Sequence, residues 1–159
     1  MTAAASPVVL VHGWGGSFAS TWQRTGFTAL LEDAGVGIIG VDLLGHGTAP
    51  KPHEPEAYAD LTARIVERLP DEPVDAIGFS LGAMTLLRLA IDRPERFRRL
   101  VLAGIGSNIF ERDQSGTRAI IEGLETVAGG GDPAALDNTV RLFTQYAGQP
   151  GNDLEALTA

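Results

Sequence analysis

Four short runs along the first two thirds of the chain are apolar nearly throughout: Val8 to Val11, Val36 to Val41, Val74 to Phe79 and Leu100 to Ala103. Such runs, rich in β-branched and aliphatic residues, suit strands buried on both faces. The intervals between them leave room for crossover helices, so the pattern predicts a parallel sheet, built from right-handed βαβ units, with helices on both sides. Helical spacing fills the intervals. Tyr58, Leu61, Ile65 and Leu69 fall on one face between Pro55 and Pro70, and Leu81 to Asp92 is apolar almost all round, with Pro94 closing it. Trp22, Phe27, Leu30 and Leu31 predict a less regular helix ending at Gly35.

From about Ser107 the strand-like runs stop. Two amphipathic segments follow, one through Ile120, Leu124 and Val127 and one through Leu136, Val140 and Phe143, separated by Gly129 to Gly131. Asp132 followed by Pro133 reads as an N-cap and first-turn pair for the second of them, and a further helix is expected to begin at Asn152 or Asp153.

Composition narrows the function classes. The 159 residues carry a formal net charge of −8, which argues against a nucleic-acid groove. Cysteine is absent, which removes disulfide frameworks, thiolate metal sites and thiol catalysis. The start MTAAASPVVLVHG lacks the basic residues and apolar stretch of about 7–15 residues expected of a secretory signal. The longest apolar stretch, from Leu81 to Ile91, contains Arg88 and falls short of the roughly 20 residues that span a bilayer. A soluble cytoplasmic protein with no membrane partner is the expectation.

Candidate chemistry lies at the ends of the strand runs. Gly78, Phe79, Ser80, Leu81, Gly82 and Ala83 form a G-x-S-x-G pattern with a strand before it and a helix after it. A turn this tight forces its central residue into a strained backbone, and the flanking glycines leave space for the Ser80 hydroxyl to stand clear as a nucleophile. The following helix aims its first N–H groups at the place where negative charge develops in acyl transfer, which makes Leu81 N–H one candidate oxyanion donor. His12, Gly13, Trp14, Gly15, Gly16 and Ser17 follow the first strand. The ends of parallel strands share one edge, so Trp14 N–H is the second candidate donor. A phosphate-binding turn is the competing reading, but Phe18 stands where the third glycine of G-x-G-x-x-G belongs, and the sole lysine, Lys51, is out of place for a Walker A motif.

A third motif, Asp42, Leu43, Leu44, Gly45, His46 and Gly47, follows the second strand run. HGWGGS, DLLGHG and GFSLGA in this order and spacing resemble the N-terminal half of an α/β-hydrolase, and RPERFRRLVLAG resembles the helix end and next strand of that family. The resemblance implies an α/β fold, a parallel doubly wound sheet with flanking helices. It divides the chain into an N-terminal part of the core, 1–106, and the opening of a helical lid or cap, 107–159. It also implies attack of Ser80 on a small ester or related acyl substrate, with a histidine as base, an acid orienting that histidine, and no cofactor or metal. A serine at this position argues against the dehalogenase and epoxide-hydrolase relatives, which use aspartate.

The family's histidine follows its last strand, and this chain has none beyond His53. His12 and His46 belong to loop motifs in which histidine makes structural hydrogen bonds, with His46 the better placed of the two if one is recruited as a supporting group. His53 lies among prolines, where solvation is expected. After the fourth strand run, where some relatives place the acid, Gly104, Ile105, Gly106, Ser107 and Asn108 offer no carboxylate. Asp42 reads as a turn-forming residue and Asp113 as a surface one. An uncovered Leu100 to Ala103 edge would also be an aggregation template. Base and acid are therefore expected from a complementary C-terminal fragment, or from a second chain covering the sheet edge. The rival reading is a non-catalytic remnant or binding module of the same fold.

Overall fold

The computed structural model describes residues 6–110 and 114–159. Asp113 lies outside the described residues. The sheet is built from β1 (Val8–Val11), β2 (Ile38–Val41), β3 (Val74–Phe79) and β4 (Phe97–Ala103), all parallel, in the order β2-β1-β3-β4. β1 is central, which explains why it is apolar at every position: Val9, Leu10 and Val11 are completely buried.

This order fixes the helices. The chain crosses outward from β1 to β2 through α1 (Phe27–Asp33), then returns over β1 to β3 through α2 (Thr62–Val66), and goes on to β4 through α3 (Leu81–Asp92). Right-handed crossovers in opposite directions put α1 on one face and α2 and α3 on the other. The main core agrees, since Ile65 of α2 and Leu86 and Leu89 of α3 pack together against Val9, Val11, Val41, Val74 and Ala76. The direction of winding reverses between β1 and β3. A crevice for a ligand is expected just beyond the carboxyl ends of those two strands.

Beyond β4 come α4 (Gln114–Ala128), α5 (Asn138–Ala147) and α6 (Leu154–Thr158). Leu124, Ala147 and Leu157 form a second, smaller core, and Trp14 from the turn after β1 packs into it with Ile120 and Leu154.

Several elements depart from the periodicity. The segment between Pro55 and Pro70 is split into a 3-10 turn, Pro55–Tyr58, and the short α2. Asp60 accounts for the break: its carboxylate accepts from the N–H and hydroxyl of Thr62 at 2.9 and 2.6 Å and restarts the helix there. The irregular stretch after β1 is a single π-helical turn, Ala19–Gln23, followed by Gly26 and then α1, with the Trp22 and Phe27 rings 5.1 Å apart. Asp132 caps only a 3-10 turn, Pro133–Ala135, while α5 is capped by Asp137, which accepts from Thr139 N–H at 2.8 Å. Asp153 caps α6, within the expected start.

β4 begins at Phe97, three residues earlier than its apolar run. The two arginines that hid its start both reach Asp75 on β3, Arg98 at 2.8 Å and Arg99 at 3.8 Å. Among the described residues β4 is an edge strand, and Val101 and Phe79 on the pleat facing away from α3 are half exposed.

Candidate active site

The turn from β3 into α3 carries the main chemical feature. Ser80 has φ 51° and ψ −114°, and it is the one residue other than glycine with positive φ among the described residues. That conformation costs a side-chain-bearing residue on the order of 1–3 kcal/mol and persists only where the surroundings fix it. Here they do. Ser80 N–H donates to Ala103 O of β4 at 2.8 Å, and Ser80 O accepts from Met84 N–H at 3.0 Å, so one residue ends the strand and begins the helix.

The flanking glycines are required by contact. A Cβ on Gly78 would lie 2.7 Å from the Ala83 backbone, and one on Gly82 would press on the carbonyl oxygens of Val11 and His12. The helix therefore starts directly against the end of β1. A Cβ on Gly13 would meet the Ser80 Cβ at 3.3 Å, so the turn after β1 and the serine elbow are immediate neighbours.

That first turn is held at several points. Gly16 N–H donates to Gly13 O at 3.1 Å, closing a β-turn with Trp14 and Gly15 at its centre, and Gly15 has φ 69°, as a type II turn demands. His12 lies beneath it, completely buried. Leu43 N–H donates to His12 Nε2 at 3.1 Å, which places the ring proton on Nδ1, from where it is donated to Gly13 O at 2.8 Å. Burial, more than any neighbouring group, lowers the His12 pKa to about 4, so the ring is neutral at pH 7. The Gly13 carbonyl thus accepts two hydrogen bonds. Because the peptide is planar and trans, Trp14 N–H must point the opposite way. Among the described residues neither Trp14 N–H, nor Leu81 N–H, nor the Ser80 hydroxyl has a hydrogen-bond partner.

The loop after β2 supports this floor. Asp42 accepts from Phe18 N–H at 2.7 Å and from the Thr48 N–H and hydroxyl at 2.8 and 2.9 Å, tying the two loops together. Burial pushes its carboxyl up, but the bonds from Phe18 and Thr48 outweigh burial and hold it below the usual range. It is a turn-forming residue, as its position suggested. His46 is buried with its ring centre 5.1 Å from that of His12. Its Nδ1–H donates to Leu44 O at 2.9 Å, its Nε2 has no partner among the described residues, and burial lowers its pKa. His53 is half exposed and not merely solvated: its ring contacts Asp153 at 3.1 Å and Glu155 at 2.8 Å. The hydrogen bond to Asp153 raises its pKa first of all, with the nearby carboxylates adding to it.

The geometry therefore sets the turn that carries Trp14 directly against the elbow of Ser80 and Leu81, and commits both nitrogens of His12 to the loops. No cluster of three or more His, Asp or Glu side chains suited to a metal occurs among the described residues. None of the described helices is long and apolar enough to cross a membrane.

A strained serine between β3 and α3, facing a glycine turn at the point where the sheet reverses its winding, is the elbow of one large family, and the model of the alpha/beta hydrolase fold matches residues 6–152. The chain belongs to the α/β-hydrolase fold family. It is 38% identical over 106 residues to a pimeloyl-[acyl-carrier protein] methyl ester esterase of Neisseria meningitidis, a match covering 64% of this chain and 38% of the esterase. It is 35% identical over 132 residues to a 2-hydroxy-6-oxo-2,4-heptadienoate hydrolase of Pseudomonas putida, covering 79% of this chain and 44% of that enzyme. This α/β-hydrolase chain thus spans less than half the length of those curated relatives. Among solved structures, an esterase from a marine microorganism superposes with a TM-score of 0.65 at 17% identity, covering 98% of this chain and 67% of that one. A hydrolase from Pseudomonas aeruginosa superposes at 0.62 and 22% identity, covering 99% and 63%. These two likenesses concern the fold.

Asp42, expected in a turn, also ties the first and second loops together. Asn152, from the segment before α6, reaches back to Gly15, a contact with no local signal in the sequence.

Proposed function

We propose that this chain is the nucleophile-bearing part of a serine hydrolase that cleaves a small ester or related acyl substrate. The observation that carries the reading is the strained Ser80, with its hydroxyl unbonded, beside two N–H groups with no partner among the described residues. In this reading Ser80 Oγ attacks the acyl carbonyl and gives up its proton. The carbonyl oxygen becomes an oxyanion received by Trp14 N–H and Leu81 N–H, and the ester oxygen leaves with a proton as the acyl-enzyme forms; water then hydrolyses the acyl-enzyme. The relatives, an esterase and a 2-hydroxy-6-oxo-2,4-heptadienoate hydrolase, favour a hydrolase without choosing the acyl group.

Neither His12, whose ring nitrogens both serve the loops, nor His53, which is held by two carboxylates, is free to act as base, and His46 is buried with Nδ1 committed to Leu44 O, leaving only its Nε2 without a partner among the described residues. We propose that base and acid come from a segment beyond this chain, a C-terminal fragment or a second chain, that pairs with the edge of β4 left uncovered among the described residues. The same histidine contacts favour one alternative, a non-catalytic module that keeps the fold without turnover.

Incubation with p-nitrophenyl acetate and with a fluorophosphonate probe, for the chain alone and with any co-purifying fragment, separates the two. The hydrolase reading expects labelling and turnover that disappear in Ser80→Ala. Absence of both under every condition would establish the non-catalytic alternative.

A further inference from the structure

The turn that presents Trp14 N–H is gripped from above as well as from below. Asn152, in the link between α5 and α6, donates through its side-chain amide to Gly15 O and to Tyr146 O, both at 2.8 Å. Only the NH₂ group of the carboxamide serves two carbonyl acceptors, so its orientation is fixed by its partners. Tyr146 covers the turn at contact distance, since a Cβ on Gly15 would lie 2.9 Å from the Tyr146 Cβ. One residue further along the turn surface, the Trp14 indole donates to Leu157 O of α6 at 3.2 Å, and the Trp14 ring packs 5.4 Å from that of Phe143 on α5.

We infer that Asn152 is a positioning residue for the oxyanion turn, an inference that rests on the hydrolase reading above. The transmission runs through two planar peptides. Gly15 C=O, drawn toward Asn152, directs the Gly16 N–H of the same peptide the opposite way, onto Gly13 O. Gly13 C=O, held by Gly16 N–H and His12 Nδ1–H, directs Trp14 N–H the opposite way, in a turn that lies against Ser80. Asn152 touches no reacting atom. It sets the aim of one that does, from the link between α5 and α6, 137 residues from Gly15 in sequence. An oxyanion donor acts by being fixed before the charge appears, so loosening its turn lowers the rate of the chemical step without weakening binding of the probe.

The test compares the chain with Asn152→Ala and Asn152→Asp, the second of which keeps the volume but places a carboxylate against Gly15 O. Fluorophosphonate labelling of Ser80 is resolved into the maximal rate and the half-saturating probe concentration, and amide hydrogen exchange is followed at Trp14 to Ser17 and at Val9 to Val11. The expected result is a maximal labelling rate about 10-fold lower in both variants, below the 10²–10³-fold loss on deleting a donor outright. The half-saturating concentration stays the same, and exchange quickens in the turn alone. Equal labelling rates with unchanged exchange in the turn would overturn the positioning role. If the parent chain takes no label, the hydrolase reading fails separately, and exchange alone decides whether Asn152 holds the turn: faster at Trp14 to Ser17 supports it, unchanged sinks it. Faster exchange in β1 as well would mean general destabilisation and would also count against it.

Discussion

The sheet half and the helical half of this chain carry information in different ways. Nine buried residues form the core that joins the sheet to α2 and α3, whereas the helical segment is centred on three, with Trp14 borrowed from the sheet half to complete its packing. In the first region each functional feature is local. The elbow, its flanking glycines and its helix are contiguous in sequence, and their geometry follows from close contacts the neighbouring residues make. In the second region the functional feature is remote, because α5 and α6 matter through what they hold: Gly15, Trp14 and His53. A local motif can place a strained serine. Fixing the turn beside it takes contacts between distant parts of the chain.

Perturbing the two regions should therefore give different outcomes. The largest effect is expected from Leu86→Ala, which opens a cavity in the main core at a completely buried side chain. It should cost about 2–5 kcal/mol, read from the urea midpoint, and lower sheet and helix signals together. A loss below 1 kcal/mol would mean that α3 is not held as tightly as described.

Acid should act next, and also through the sheet half. His12 is lowered from its ordinary value of 6.5 to about 4 by burial, so the unfolded chain binds a proton in that interval that the folded chain refuses. Stability is then full above about pH 6.5 and falls as the pH drops toward 4, by about 3 kcal/mol for this group, with His46 lowered in the same direction. His53 has the opposite sign: raised by Asp153, its contribution is complete below 6.5 and adds no slope in this window. Urea titrations at several pH values check the sign. Stability that rose on acidification from 6.5 to 5 would contradict the neutral, buried His12.

The smallest of the three effects belongs to the helical half. Leu157→Ala removes a side chain from its small core, and a loss of about 1–2 kcal/mol is expected, below the range for the main core because the site can relax toward solvent. Near-ultraviolet dichroism of Trp14 should change while the sheet signal stays. Coincident loss of both would erase the contrast between the two regions.

The same contrast governs what could be read from the sequence. β1, β3 and α3 have the ends their patterns predicted, since a buried parallel strand and the elbow helix each announce themselves within a dozen residues. β4 extends beyond its apolar run because Arg98 and Arg99, polar in the sequence, are received by Asp75 on the neighbouring strand. The helix between Pro55 and Pro70 is shorter than its apolar spacing suggests because Asp60 competes for the backbone of Thr62. The strand-to-helix turn at Ser80 was legible, and the structure adds the positive φ of Ser80 and the closeness of the Gly13 turn to it. Asn152 was not legible: an exposed-looking asparagine beside a glycine has many roles, and only the fold brings it to Gly15. The ion pairs of His53 with Asp153 and Glu155 were hidden for the same reason, with about a hundred residues between the partners.

The central claim is that Ser80 stands as a bared nucleophile where the winding of the sheet reverses. Peptide mapping of the protein after reaction with a fluorophosphonate, with and without a fragment able to cover β4, addresses it directly. A single adduct on Ser80 is the predicted result, and an adduct confined to other hydroxyls, or none in either condition, would contradict it.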